Sequence, residues 1–154
     1  MSKVVQILLR EPKRGVVRVV NSAEAIIGKG LSGDRYAEKL AHTSWARKNR
    51  EVTLIESEAL VMLRDEKDLS LTHEQSRRNL LTEGVDLNAL VGKTFRIGSD
   101  VVLRGLQLCQ PCQHLEETTA PGMLKALFNR GGLRATIVAG GVIRAGDAIE
   151  LTVE

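Results

Sequence analysis

The chain has 154 residues, of which 43% are hydrophobic, 27% charged and only 3% aromatic, the make-up of one globular domain over residues 1–154 whose core must be built from Val, Ile, Leu and Ala. No apolar run approaches the roughly 20 residues that cross a bilayer, the N-terminus has no signal-peptide pattern, and two cysteines do not make a secreted disulfide scaffold; a cytoplasmic protein with no membrane contact is expected. The net charge of +3 is uneven, with eleven Lys/Arg against four Asp/Glu in residues 1–50 and eleven against fifteen in the remainder. A basic first third suits phosphate, nucleic acid or an anionic cofactor, and equally a plain solvated surface.

In chain order, Lys3 to Leu9 and Gly15 to Val20 read as strands rich in Val and Ile, joined by a polar turn around Glu11 to Gly15. Ala23 to Leu31 extends the sheet or starts a helix, its Ala-Glu-Ala suiting either. Gly28, Gly30 and Gly33 then mark backbone that turns sharply or approaches something closely, in neither a Walker nor a dinucleotide spacing. Residues 37–50 read as a mobile polar loop holding His42 and Trp45. Arg50 to Ile55 predicts a strand, and Glu56 to Leu63 a helix with Ala59, Leu60 and Leu63 on one face.

Asp65 to His73 reads as a polar connection. Ser76-Arg77-Arg78-Asn79-Leu80 follows, where arginine offers a planar fork for phosphates and asparagine a donor and acceptor for a heterocycle edge. Surface arginines beside a turn asparagine would look the same. Val85 to Val91 predicts a helical turn, and Thr94 to Ile97 with Val101 to Cys109 a hairpin around Gly98-Ser99-Asp100. Gly122 to Asn129 predicts a helix striped by Met123, Leu124, Leu127 and Phe128, between Pro121 and Gly131-Gly132. Leu133 to Ala139 and Ala148 to Val153 are the last strands, with Gly140-Gly141 and Arg144 to Asp147 as turns. Many short strands with a few short helices predict a mainly β, barrel-like single domain.

Both cysteines lie in Leu106-Gln107-Leu108-Cys109-Gln110-Pro111-Cys112-Gln113-His114-Leu115. Alternation puts Val102, Leu106 and Leu108 on one strand face, with Gln107 and Cys109 on the other. Pro111 ends the ladder, so Cys112 falls on the turn beyond it, aimed at a cleft. Two thiols at this spacing bind a metal, close a disulfide, or leave one thiolate for chemistry; both also serve as core fillers. A zinc site would take Cys109, Cys112 and His114, one ligand short of the usual four. A disulfide would make a reversible switch, whereas a buried Cys109 would leave Cys112 acting alone.

Taken together, Gly30-Leu31-Ser32-Gly33-Asp34-Arg35-Tyr36, Arg50 to Ile55, Arg77-Arg78-Asn79-Leu80, Leu90-Val91-Gly92, Pro111-Cys112, and Gly140 to Ile143 with Gly146-Asp147 resemble the MOSC domain in order, over roughly residues 15–153. This family is named after the C-terminal part of molybdenum-cofactor sulfurase, and the likeness is to its short, stand-alone bacterial type. The resemblance implies a β-barrel-like fold and a cysteine that acts on sulfur or molybdenum. On that resemblance Cys112, after the proline, is the molybdenum ligand or sulfur carrier, and Arg77 and Asn79 contact the cofactor. Arg35 matches as an anion contact for the phosphate of the molybdenum cofactor (molybdopterin), although an aspartate–arginine lock is the other reading of Gly33-Asp34-Arg35.

The activity implied is reduction of N-hydroxylated compounds or sulfur delivery to metal–sulfur centres. A cysteine desulfurase or a redox protein is then the expected partner, alongside the pterin or a small-molecule substrate. No pyridoxal phosphate is expected on this chain, which lacks the length of a desulfurase domain. The rival reading is a small basic β-barrel that binds RNA or a protein without catalysis. The shortage of aromatics for base stacking counts against nucleic acid.

Overall fold

The structure, a computed structural model, describes residues 1–11, 16–38 and 51–152, with the side chains of Tyr36 and Glu38 left aside. The turn expected at Pro12 to Gly15, the Trp45 and His42 loop and the end of the last strand at Val153 lie outside the described residues. The first elements are strands β1 (Lys3–Arg10), β2 (Val17–Val20), β3 (Ser22–Ile26) and β4 (Gly30–Leu31), then the short helix α1 (Arg35–Glu38). After β5 (Val52–Glu56) come α2 (Ser57–Lys67), α3 (His73–Ser76) and β6 (Leu80–Glu83). A 3-10 turn at Leu87–Leu90 leads to β7 (Thr94–Ile97) and β8 (Val101–Leu108). The chain then forms α4 (Gln113–Thr118), α5 (Met123–Ala126), β9 (Leu133–Ala139), β10 (Gly141–Arg144) and β11 (Ile149–Leu151).

An eight-stranded sheet runs β11-β7-β8-β9-β5-β6-β1-β2, beside a three-stranded sheet β10-β3-β4. The large sheet curls so that the chain around β11 reaches the start of β1: Val4 N–H donates to Asp147 O at 2.9 Å, Gly146 N–H to Val4 O at 2.7 Å and Ile149 N–H to Ser2 O at 2.9 Å. The fold is mainly β with a few short helices, as expected. Val4, Ile7, Leu54, Leu80, Phe95, Leu103, Leu133 and Ile149 belong to the aliphatic core of the curl. Among the described residues, no helix is long and apolar enough to cross a membrane.

Two features place the site. β5 and β6 pair parallel, Leu54 opposite Leu80, so the chain must cross over between them, and α2 with α3 supply the crossover. The Arg77-Arg78-Asn79 segment is therefore the return into β6. A small second core of Leu63, Leu71, Met123 and Leu127, with Leu115 packed on it, holds α4 and α5 against α2.

The departures have local causes. Ser22–Ile26 settles as a strand because Ala23 and Ala25 are buried while Ser22 and Glu24 are exposed, a period of two. Gly141 and Arg144, each expected in a turn, are instead the two ends of strand β10: only Ile143 is buried there, so no apolar run marks it, and its partner β3 is distant in sequence. The helix expected over residues 122–129 is a single turn, Met123–Ala126, with Phe128 exposed. α2 continues to Lys67, into the expected polar connection, and α3 begins at the last residue of that connection, His73.

Candidate functional site

The site rests on a buried polar lock. Asp34 and Asn79 are 0% exposed and Arg10 4%. The Arg10 guanidinium grips Asp34 from Nε at 3.2 Å and Nη2 at 2.9 Å, and the Arg10 backbone N–H donates to Asp34 Oδ1 at 2.7 Å. Asn79 Nδ2 donates to Asp34 Oδ1 and to Leu8 O, each at 3.0 Å. Its Oδ1 accepts from Thr53 N–H at 3.1 Å and Thr53 Oγ1 at 3.2 Å, and its own N–H donates to Thr53 Oγ1 at 3.0 Å. One carboxylate and one amide thus tie β1, β5, the glycine-rich segment and the return into β6. Buried polar groups satisfied this fully fix a single backbone arrangement.

Residues 72–79 form a compact loop above this lock. Thr72 and Gln75 make a capping box: Gln75 N–H donates to Thr72 Oγ1 at 3.0 Å, and Thr72 N–H to Gln75 Oε1 at 2.9 Å. Arg77 closes α3 in the left-handed region, φ 58°, where glycine or asparagine is commoner. Arg78 Nε donates to Gly131 O at 2.9 Å, while its own carbonyl accepts from His73 Nε2 at 2.8 Å. That bond makes Nε2 the protonated nitrogen of His73. Nδ1 is buried with no hydrogen-bond partner.

Burial pushes the His73 pKa below its ordinary 6.5, outweighing the bond to Arg78 O and the nearby Glu74 charge. The folded state then binds fewer protons than the unfolded one as pH falls below 6.5. Stability tied to neutral His73 is complete above that pH and declines as pH drops toward the folded value. The urea midpoint should fall from pH 7.5 to about pH 5, and His73→Gln should flatten that slope. Equal slopes in the two proteins would remove His73 as the cause.

The cysteine segment is fixed by close backbone approach. Cys109 N–H donates to Gly132 O at 2.8 Å. A Cβ on Gly131 would overlap the Cys109 carbonyl oxygen, and one on Gly132, at φ 114°, the Leu54 carbonyl oxygen. Gly132→Ala should therefore cost about 2–3 kcal/mol in a denaturant titration, from positive-φ strain and overlap together; wild-type stability would mean the strands can part there. Cys109 is 1% exposed and Cys112 is exposed, both as free thiols. Cys112 is the N-cap of α4, with no side-chain capping bond, and its carbonyl accepts from Leu115 N–H at 3.1 Å.

The loop, the lock and α4 enclose a cavity of about 540 Å³. Arg10, Arg35, Arg77 and Arg78 line it with Cys112, His114, Gln75 and Ser76, and Val17, Leu115 and Thr118 supply much of the remainder. Among the described residues Glu74 is the one carboxylate on this wall, and the Arg10 charge is already matched by Asp34. Among the described residues the wall thus carries four arginines and one carboxylate around an exposed thiol. Such a surface takes an anion and presents sulfur to it.

A family model described as the MOSC domain matches residues 36–150. The chain belongs to the MOSC domain family. No curated protein matches it. Its fold is shared with YuaD from Bacillus subtilis, at 16% identity and a TM-score of 0.83 over 98% of this chain and 96% of that one. YiiM from Geobacillus stearothermophilus aligns at 16% identity and TM-score 0.72, over 99% and 76% of the two chains. YiiM from Escherichia coli aligns at 19% and 0.67, over 100% and 71%.

Of the four residues expected at the MOSC site, Arg35, Arg77 and Cys112 line one cavity. Asn79 does not join them. It lies beneath the wall with its amide engaged by Asp34, Leu8 and Thr53, so no part of it is open to a ligand. The aspartate–arginine lock exists, but Asp34 closes it with Arg10 and leaves Arg35 on the cavity. Cys109 is buried whereas Cys112 and His114 are exposed, and among the described residues no three His, Cys, Asp or Glu side chains are grouped to hold a metal. Arg10 is an addition to the sequence reading, and Arg78, read there only within the Ser76 to Leu80 motif, joins the wall. An arginine ending an apolar strand, and a second one beside Arg77, were the available signals.

Proposed function

We propose that this MOSC domain binds the molybdenum cofactor in the arginine-lined cavity and that Cys112 provides the working thiolate, either as a molybdenum ligand or as the atom that carries sulfur. The observation that carries the reading is the convergence of exposed Cys112 with Arg10, Arg35, Arg77 and Arg78 on one wall. The donor set fits the group. A thiolate is the soft ligand that a molybdenum–sulfur centre takes, and guanidinium forks suit a phosphate. Gln75 and Ser76 offer donors and acceptors to a heterocycle edge, and Val17 and Leu115 offer apolar contact to its face.

When bound, the cofactor supplies the redox chemistry. The chain's own part is to neutralise the ligand's negative charge with Arg35, Arg77 and Arg78, and to keep one thiol accessible. As a reductase it would serve N-hydroxylated compounds with a redox protein as electron donor; as a carrier it would receive sulfur from a desulfurase and pass it on. Both settings are reducing, which suits two free cysteines in the cytoplasm.

The test is elemental analysis after expression in a cofactor-competent host. Wild type should retain molybdenum, and Arg35→Ala or Arg77→Ala should lower retention about tenfold through loss of a charge-assisted contact. Retention with turnover of an N-hydroxylated base favours the reductase; persulfide without molybdenum favours the carrier. Neither metal nor sulfur on wild type, or full retention in both arginine variants, would overturn the assignment.

A further inference from the structure

We infer that Cys112 takes sulfur directly from small anionic sulfane-sulfur donors, of which inorganic thiosulfate is the simplest, without a protein donor. This rests on the sulfur-carrying form of the reading above and adds the class of donor. Two independent features support it. The first is charge. A thiolate and a dianionic donor repel one another, so their reaction needs fixed cations that hold the donor and accept the charge of the leaving group. Arg35, Arg77 and Arg78 line the wall that carries Cys112. Arg10 completes the set, although its charge is shared with Asp34.

The second feature is the seclusion of Cys109. A persulfide beside a reachable thiol is resolved to a disulfide, with loss of hydrogen sulfide. Here Cys109 is 1% exposed and held by the Cys109 N–H bond to Gly132 O at 2.8 Å, while Cys112 stands exposed beyond Pro111. A persulfide on Cys112 therefore has no solvent-exposed thiol of this chain to resolve it, and persists until an external acceptor arrives.

The chemistry balances without an external oxidant or reductant. Cys112 Sγ, as thiolate, attacks the outer sulfur of thiosulfate and forms the new S–S bond. The S–S bond of thiosulfate breaks, and sulfite leaves with the electron pair, so Cys112 carries a persulfide anion. An acceptor nucleophile such as cyanide then attacks the outer sulfur, leaving as thiocyanate and restoring the thiolate.

Purified full-length protein, freed of reductant, should be incubated with thiosulfate and followed by intact mass, peptide mapping and sulfite release. Wild type and Cys109→Ala should gain the mass of one sulfur atom on Cys112 with matching sulfite, and turn over with cyanide. Cys112→Ser should do neither. Arg77→Gln and Arg35→Gln should raise the KM for thiosulfate about tenfold each, while neutral iodoacetamide alkylates Cys112 at the wild-type rate in both. No sulfur gain on wild type whose Cys112 reacts normally with iodoacetamide would overturn the inference, as would sulfur landing on Cys109 or prompt release of sulfide. The cofactor reading is judged separately by molybdenum content: molybdenum retained without sulfur uptake defeats only this inference, and sulfur uptake without molybdenum decides for the carrier form of that reading against the reductase form.

Discussion

Cys112→Ser is expected to abolish molybdenum retention and sulfur loading while leaving the fold unchanged. The two halves of that expectation have separate physical grounds. Serine's hydroxyl is not ionised near neutral pH and is a hard donor, so it replaces neither a soft metal ligand nor a sulfur nucleophile. The fold should tolerate it because Cys112 is exposed and contributes no side-chain bond. Its backbone already has the extended conformation of an N-cap, φ −120° and ψ 166°. Serine is favoured at that position, so unfolding free energy should stay within about 1 kcal/mol of wild type, on the stabilising side if it caps. A denaturant titration beside the metal and sulfur assays separates the two halves. An active, metal-loaded serine variant would take Cys112 out of the mechanism.

The legibility of the site followed how local each signal was. Strands such as β7, β8 and β9 announce themselves through β-branched and aliphatic runs closed by glycine turns. The capping box of α3 is also written in the sequence, as Thr72 followed three residues later by Gln75, but it straddles the end of a polar stretch with no apolar run beside it to signal a helix. Cys109 was harder. The alternation buries Val101, Leu103 and Gly105, and past the bulge between Gly105 and Gln107 Cys109 is buried in the same phase, so the core face is the one opposite Val102, Leu106 and Leu108. Leu106 and Leu108 are accordingly only half-buried, the reverse of a core face. Arg10 was hardest, because its meaning comes from Asp34, 24 residues on, and Asn79, 69 residues on. Asn79 illustrates the same limit in the other direction. An asparagine after two arginines suits a heterocycle edge and a buried lock equally, and only the partners from Thr53 and Leu8 decide it.

Asp34→Ala should be the most destabilising single change away from the aliphatic core. Asp34 is wholly buried and accepts the Arg10 guanidinium, the Arg10 backbone N–H and the Asn79 amide. Removing it leaves the Arg10 charge, itself 4% exposed, without its carboxylate. Breaking such a pair from one side costs about 3–5 kcal/mol, a large part of the roughly 5–15 kcal/mol that holds a domain folded. Asn79→Ala should follow at about 2–3 kcal/mol, since it strands Thr53 N–H and Leu8 O without leaving a charge. The double variant Arg10→Met with Asp34→Leu separates burial from charge. Replacing both partners by apolar groups removes the uncompensated ion, so it should recover much of the stability lost in Asp34→Ala. It should not recover the site, because Arg10 also forms part of the cavity wall. Denaturant midpoints of the four proteins test the first point and anion-binding titrations the second. Equal stability of Asp34→Ala and wild type would mean that the lock does not hold the wall.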